Sequence, residues 1–133
     1  MSKNLEIELK LDIGPAFRGQ LRDLLSNDPG RDDRLKASYF DTPDLAVHRA
    51  GYSLRIRNES GQRIQTVKTE GGAHAGLFAR AEWEQVVEQK QPSRETIGAP
   101  LAEKLDHALL DSLQQVFVTD VRRTTRLIEQ GDM

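Results

Sequence analysis

Glutamate recurs at alternate positions in Glu6-Ile7-Glu8-Leu9-Lys10, and a lysine completes the run. On an extended chain two carboxylates one residue apart project side by side, so together they can hold a hard cation such as Mg²⁺ or Mn²⁺. The same spacing returns at Arg55 and Arg57, at Thr66 and Lys68, and at Arg80, Glu82 and Glu84, with Arg123 near the end. Arginine forks grip phosphate oxygens in pairs, and lysine supplies a point charge. A cavity carrying both signs suits a polyanion that arrives with its metal. A bare basic cleft would not need the carboxylates.

Those side chains can meet only if the segments bearing them are strands of one sheet. Leu5, Ile7, Leu9 and Leu11 alternate with Glu6, Glu8, Lys10 and Asp12, which is a strand's period of two. Gly14-Pro15 breaks it, and Phe17, Leu21, Leu24 and Leu25 predict an amphipathic helix over about 15–27. Strands are expected at about 35–40, 52–58, 63–69 and 77–88, the middle pair joined by the hairpin signal Glu59-Ser60-Gly61-Gln62. Residues 70–76 read as a Gly-rich loop. Leu101, Leu105, Leu109 and Leu113 mark a second helix, and a last strand runs from about 116 to 128. The pattern predicts antiparallel pairing and an α+β or mostly β fold, with two short helices packed outside on the apolar side.

One wet and one apolar face is ordinary in an antiparallel sheet, so no single strand argues for function. Paired arginines in the company of paired glutamates on several strands are less ordinary. They suit a barrel interior, where charges must pair with one another or with a bound ion.

Bulk properties narrow the classes. The 133 residues make one domain, 37% hydrophobic and 30% charged. A net charge of −2 offers no global field for nucleic acid or anionic membrane. Without cysteine there are no disulfides, thiolate metal sites or thiol nucleophiles. The charged opening residues and the lack of a long apolar run lead to the expectation of a cytoplasmic protein without membrane partners. Asn58-Glu59-Ser60 matches a glycosylation pattern only by coincidence in that setting.

Taken in order, the motifs resemble the CYTH superfamily, the triphosphate tunnel metalloenzymes. The resemblance rests on Glu6-Ile7-Glu8-Leu9-Lys10, Tyr39-Phe40-Asp41-Thr42-Pro43, Leu54-Arg55-Ile56-Arg57, Thr66-Val67-Lys68, Arg80-Ala81-Glu82-Trp83-Glu84, and Phe117-Val118-Thr119 leading to Arg123. It spans about 5–128 and is most similar to the bacterial inorganic triphosphatase branch, in which a histidine-rich helical domain often follows. The resemblance implies a barrel of the tunnel type and a metal-dependent triphosphatase. Glu6 and Glu8 would hold Mg²⁺ or Mn²⁺ and, with Lys10, form the catalytic group. Lys10, Arg55, Arg57, Lys68, Arg80 and Arg123 would cradle the triphosphate or polyphosphate, and Glu82 and Glu84 would organise them or assist the metal. Water would attack a terminal phosphorus, with cation and guanidinium groups neutralising the charge.

Family members carry further strands after the position of Arg123, a second acidic strand among them. Residues 1–133 are therefore expected to form a single CYTH-like domain lacking its C-terminal strands, about six where a closed barrel wants roughly eight. Its open edges would pair with a second copy, as a homodimer or by strand exchange.

Thiamine triphosphate hydrolysis and adenylate cyclase chemistry use the same scaffold. The charged faces read as free of aromatic residues, which favours an inorganic guest. A non-catalytic polyphosphate- or nucleotide-binding module is the alternative from another class. RNA binding is opposed by low aromatic content and by glutamate beside the arginines. His48, His74 and His107 read as surface residues, Asp41 and Pro43 as turn formers, and Trp83 as core. The loop at 71–76 lacks the Gly-Lys-Ser/Thr end of a phosphate-binding P-loop.

Overall fold

The computed structural model describes residues 2–26, 28–70, 73–74, 77–93 and 95–127. Among the described residues seven strands and four helices follow one another: β1 (Ser2–Leu9), α1 (Pro15–Leu24), β2 (Arg31–Asp41), α2 (Ala46–Arg49), β3 (Tyr52–Glu59), β4 (Gln62–Thr69), β5 (Ala73–His74), β6 (Leu77–Val87), α3 (Ala99–Lys104), α4 (His107–Asp111) and β7 (Gln114–Thr125). They make one antiparallel sheet in the order β1-β6-β4-β3-β2-β7, with β5 added to β6. The sheet curls into a half-barrel. Among the described residues β1 pairs only with β6 and β7 only with β2, so both are edges.

The β3–β4 hairpin turns on Ser60 and Gly61, both at positive φ (52° and 79°), the requirement of a two-residue turn whose twist matches its strands. Asp41 closes β2 and anchors α2. Its carboxylate accepts from the backbone N–H groups of Thr42 (2.7 Å), Val47 (2.8 Å) and His48 (3.1 Å). The Thr42 hydroxyl accepts from Ala46 N at 2.8 Å, so a buried Asp-Thr pair satisfies the donors of this short helix.

The core lies on the convex side. Phe40, Leu54, Ile56, Val67 and Val87 point from the strands into a layer made by Val47, Ile97, Leu101, Leu105 and Leu110. Trp83 packs against this cluster, its ring centroid 6.4 Å from that of Tyr52. Gln65 and Gln85 both donate to the Thr96 carbonyl at 2.7 Å, tying the connector after β6 to the back of the sheet.

Several expectations are corrected. β1 spans Ser2–Leu9, so Lys10 and Leu11 lie beyond it. β2 begins at Arg31 because its first half pairs with β7 through Arg31↔Thr125 to Ala37↔Thr119. The second helix is two: Leu105 adopts ψ 135°, and the Asp106 carboxylate caps α4 by accepting from Leu109 N at 2.9 Å. The expected 70–76 loop contains β5. Helix α1 buries no residue, and Phe17 and Leu24 remain exposed, so it is not packed on the sheet. The convex cover reaches β3, β4 and β6 but leaves Leu5, Ile7 and Leu9 of β1 exposed. Residue 128 and the Glu129-Gln130-Gly131-Asp132 turn lie outside the described residues, as do Gly71, Gly72 and Gly76.

Leu101 is 0% exposed, at the centre of the layer. Leu101→Ala is expected to lower unfolding free energy by about 2–5 kcal/mol, read as a reduced urea midpoint at unchanged slope.

Candidate functional site

Cross-strand partners share a face, and the register places the charged residues in rows on the concave side. Glu6 stands opposite Arg80. A second row runs Asn4, Glu82, Lys68 and Ser53. A third runs Glu84, Thr66, Arg55, Tyr39 and Phe117. A fourth runs Val86, Ile64, Arg57, Ala37 and Thr119. Arg123 lies opposite Asp33, further along the same face.

Lys68 is the junction of the acidic side. Its Nζ lies 2.6 Å from Glu6 Oε2 and 3.7 Å from Glu82 Oε2. The Thr66 hydroxyl donates to Glu84 at 3.4 Å. Glu8 pairs with Lys10 at 3.3 Å, a more open contact. On the basic side Arg57 Nη2 donates to Glu59 Oε2 at 2.9 Å. The Nε atoms of Arg55 and Arg57 are buried with no hydrogen-bond acceptor. Buried guanidinium nitrogens without partners are rare, and an anion's oxygens would supply what is missing.

The carboxylates are not equivalent. The Lys68 hydrogen bond is the largest influence on Glu6; it outweighs the upward push of burial and, with the charges of Lys68, Arg55 and Arg80, holds the carboxyl below its ordinary value. Burial pushes Glu82 up, and the neighbouring Glu6 and Glu84 carboxylates add to that rise. Oxygen donors that repel one another in a half-buried place gain from a cation. Among the described residues, however, no three such groups converge as a ready metal cage. That arrangement still fits Mg²⁺, which binds through one or two carboxylates and completes its shell with water and substrate phosphate oxygens.

A cavity of about 520 Å³ opens on this face. Glu8, Lys10, Arg55, Lys68 and Arg80 line it, whereas Glu6, Glu82 and Glu84 reach it through their contacts to Lys68 and Thr66. A smaller depression of about 210 Å³ gathers Arg55, Arg57 and Arg123. The fold thus brings all the candidate residues onto one side of the sheet, with Arg55 shared by both hollows.

Three features escaped the sequence reading. Glu59, taken for a turn residue, clamps Arg57; its alternation with Arg55 and Arg57 was the available signal. His48, taken for a surface residue, is exposed but stands at the cavity wall. The concave face does carry aromatic residues: Tyr39 and Phe117 occupy the Arg55 row and stack at 4.5 Å and 15°. Within the expected 35–40 strand the inner face reads Leu35, Ala37 and Tyr39, and the same-face neighbours of Phe117 are Gln115 and Thr119, so no adjacent charge marks either ring. Aromatic rings on this face remove the ground for favouring an inorganic guest over an organic one.

Known proteins resemble this chain to different extents. The CYTH domain family model matches residues 4–133. The inorganic triphosphatase of Haemophilus influenzae is 33% identical over 129 residues, which is 93% of this chain, and the chain spans 36% of that relative's length. A solved structure of a candidate adenylate cyclase from Bacillus halodurans aligns with 98% of this chain and 71% of its own, at TM-score 0.64 and 21% identity, a likeness of fold.

Because the folded-state pKa of Glu6 lies below its ordinary value of 4.5, its contribution to stability is present above that value and is lost as pH falls through the folded-state pKa. Glu6→Gln is expected to flatten the acid limb of the pH–stability curve below about pH 5, measured by urea unfolding at stepped pH. A limb as steep as the wild type's would contradict the Glu6–Lys68 assignment.

Proposed function

We propose that this chain, which belongs to the CYTH domain family, carries the triphosphate-binding face of a divalent-metal-dependent triphosphatase. One observation supports this most: the buried, acceptor-less Nε atoms of Arg55 and Arg57 stand on the same curved face as a self-repelling carboxylate group. Together they make a place for an anion and a cation at once. The inorganic triphosphatase similarity supports triphosphate as the substrate, inorganic triphosphate in particular.

In this reading Lys10, Arg55, Lys68 and Arg80 hold the phosphate oxygens in the larger hollow, and Arg57 and Arg123 extend the cationic surface beside it. Glu59 fixes the Arg57 fork in its orientation. Glu6 and Glu8, with Glu82 and Glu84, would hold Mg²⁺ or Mn²⁺. Such an ion supplies charge neutralisation on the phosphoryl oxygens and acidifies bound water. The water oxygen bonds to the terminal phosphorus as the bridging P–O bond breaks, and diphosphate leaves. Glu8, the more open of the two β1 carboxylates, is the group placed to accept the water's proton.

A binding module without turnover is the second reading, supported by the lack of a converged three-ligand metal group among the described residues. Among the described residues the outer edges of β1 and β7 have no strand partner, which supports completion of the barrel by strands from a second copy or from elsewhere in a longer protein.

Phosphate release from tripolyphosphate with Mg²⁺ or Mn²⁺, run beside calorimetric titration, separates these readings. Metal-dependent release that Glu8→Gln lowers by about 10²–10³-fold supports the enzyme. Binding without release supports the module. Absence of both would remove both.

A further inference from the structure

Hydrolysis of a phosphoanhydride needs positive charge for the phosphates, a base for the attacking water and a proton for the oxygen that leaves. In the triphosphatase reading Lys10, Arg55, Lys68 and Arg80 meet the first need and Glu8 the second. The third is still open. Arginine keeps its proton and a carboxylate has none to give. Among the side-chain types on the cavity wall, imidazole is the one that both holds a proton and releases it near neutral pH. His48 places it there.

His48 is anchored by its backbone, yet the residue stays exposed. Its N–H donates to the Asp41 carboxylate at 3.1 Å, and its carbonyl accepts from Gly51 N at 2.9 Å. Asp41 is buried and also accepts from Thr42 N and Val47 N, which makes the anchor a firm one. The Gly51 carbonyl accepts from Glu70 N at 2.8 Å and ties this end of α2 to the end of β4. Helix α2 joins β2 to β3, whereas Glu8 belongs to β1. In the sheet order β6 and β4, which carry Arg80 and Lys68, lie between β1 and the β2–β3 pair. Glu8 and His48 thus line one cavity from either side of its cations. In-line displacement suits that placement, because the attacking and leaving oxygens lie on opposite sides of phosphorus.

We infer that His48 is the general acid of the reaction, giving its proton to the oxygen that joins the terminal and middle phosphorus atoms. The inference rests on the triphosphatase reading and adds a catalytic residue to it. A lone pair of the attacking water forms the new P–O bond, and the water's proton passes to Glu8. The bridging P–O bond breaks, its electron pair stays on the bridging oxygen, and the imidazolium proton neutralises that oxygen as diphosphate departs. Solvent then returns a proton to the imidazole and takes one from Glu8. The charged groups on this wall from neighbouring elements are Asp41 of β2, Arg55 of β3, Lys68 and Glu70 at β4, Arg80 of β6, and Glu8 with Lys10 at β1. Asp41 is committed to backbone donors, Lys68 to Glu6 and Lys10 to Glu8, and on α2 itself Arg49 pairs with Asp44 at 2.8 Å.

Phosphate release from tripolyphosphate with Mg²⁺, measured across pH on the full chain, tests this with His48→Gln, which keeps a hydrogen-bond donor but transfers no proton. The variant's kcat is expected to fall about 10²-fold or more with KM little changed, and the wild type's loss of rate at alkaline pH is expected to vanish. A second readout needs no turnover. The His48 ring signals in the NMR spectrum, identified by their absence from the variant, are expected to move when tripolyphosphate is added in EDTA, while those of His107 on α4 stay in place. Unchanged kcat, a raised KM with kcat intact, or ring signals indifferent to tripolyphosphate would overturn the assignment and leave the triphosphatase reading standing. A wild type that releases no phosphate would bring both down together.

Discussion

Lys68 reaches from β4 across β6 to Glu6 on β1 and passes Glu82 on the way. Strands two places apart are separated by roughly 9–10 Å in a flat sheet, so this contact requires long side chains leaning over a curved surface. Placing several charges on a half-covered face is unfavourable unless each finds an opposite charge or a guest. The alternation of acidic and basic residues in successive rows meets that need for most of the face. Where it stops, the Nε atoms of Arg55 and Arg57 are left buried without an acceptor, and Glu82, though paired with Lys68, is crowded by Glu6 and Glu84. That imbalance is what an anion arriving with a cation would relieve.

The convex side explains how such a face is held still. Gln65 and Gln85 alternate with Thr66 and Glu84, so the strands that present the site in front carry behind them a pair of amides that share the Thr96 carbonyl as acceptor. The Thr96 hydroxyl returns a hydrogen bond to Gln65 at 3.2 Å, which fixes the amide's orientation. Leu54, Ile56 and Val67 then bury the reverse of the arms that carry Arg55, Arg57, Thr66 and Lys68. Packing and chemistry occupy the same strands and are separated only by the direction of each Cβ.

That separation is also why much was legible in advance. A period of two is visible in the letters, and it sorted Glu6, Arg55, Arg57, Lys68 and Arg80 onto one side before any contact was known. Where the positions flanking a ring on its own face carry no charge, the same rule has nothing to grip, and the pairing of Tyr39 with Phe117 is visible only in the register. Helix positions failed differently. The leucine spacing at 101–113 fits one helix, but Asp106 caps a new one, because a short carboxylate bonds the backbone more readily at a helix start than in its interior. The apolar stripe of α1 was read correctly as amphipathic, yet amphipathicity does not say what an element packs against.

The tight Ser60-Gly61 turn carries one more implication, for how such a chain can change over time. It locks β3 and β4 in register from Glu59↔Gln62 to Tyr52↔Thr69. Deleting one residue of β4 between the turn and Val67 would carry Val67 to the wet side and Lys68 into the oily one, inverting the rest of that strand. Inherited length variation in this hairpin should accordingly come in pairs of residues, which keep each side chain on its own face.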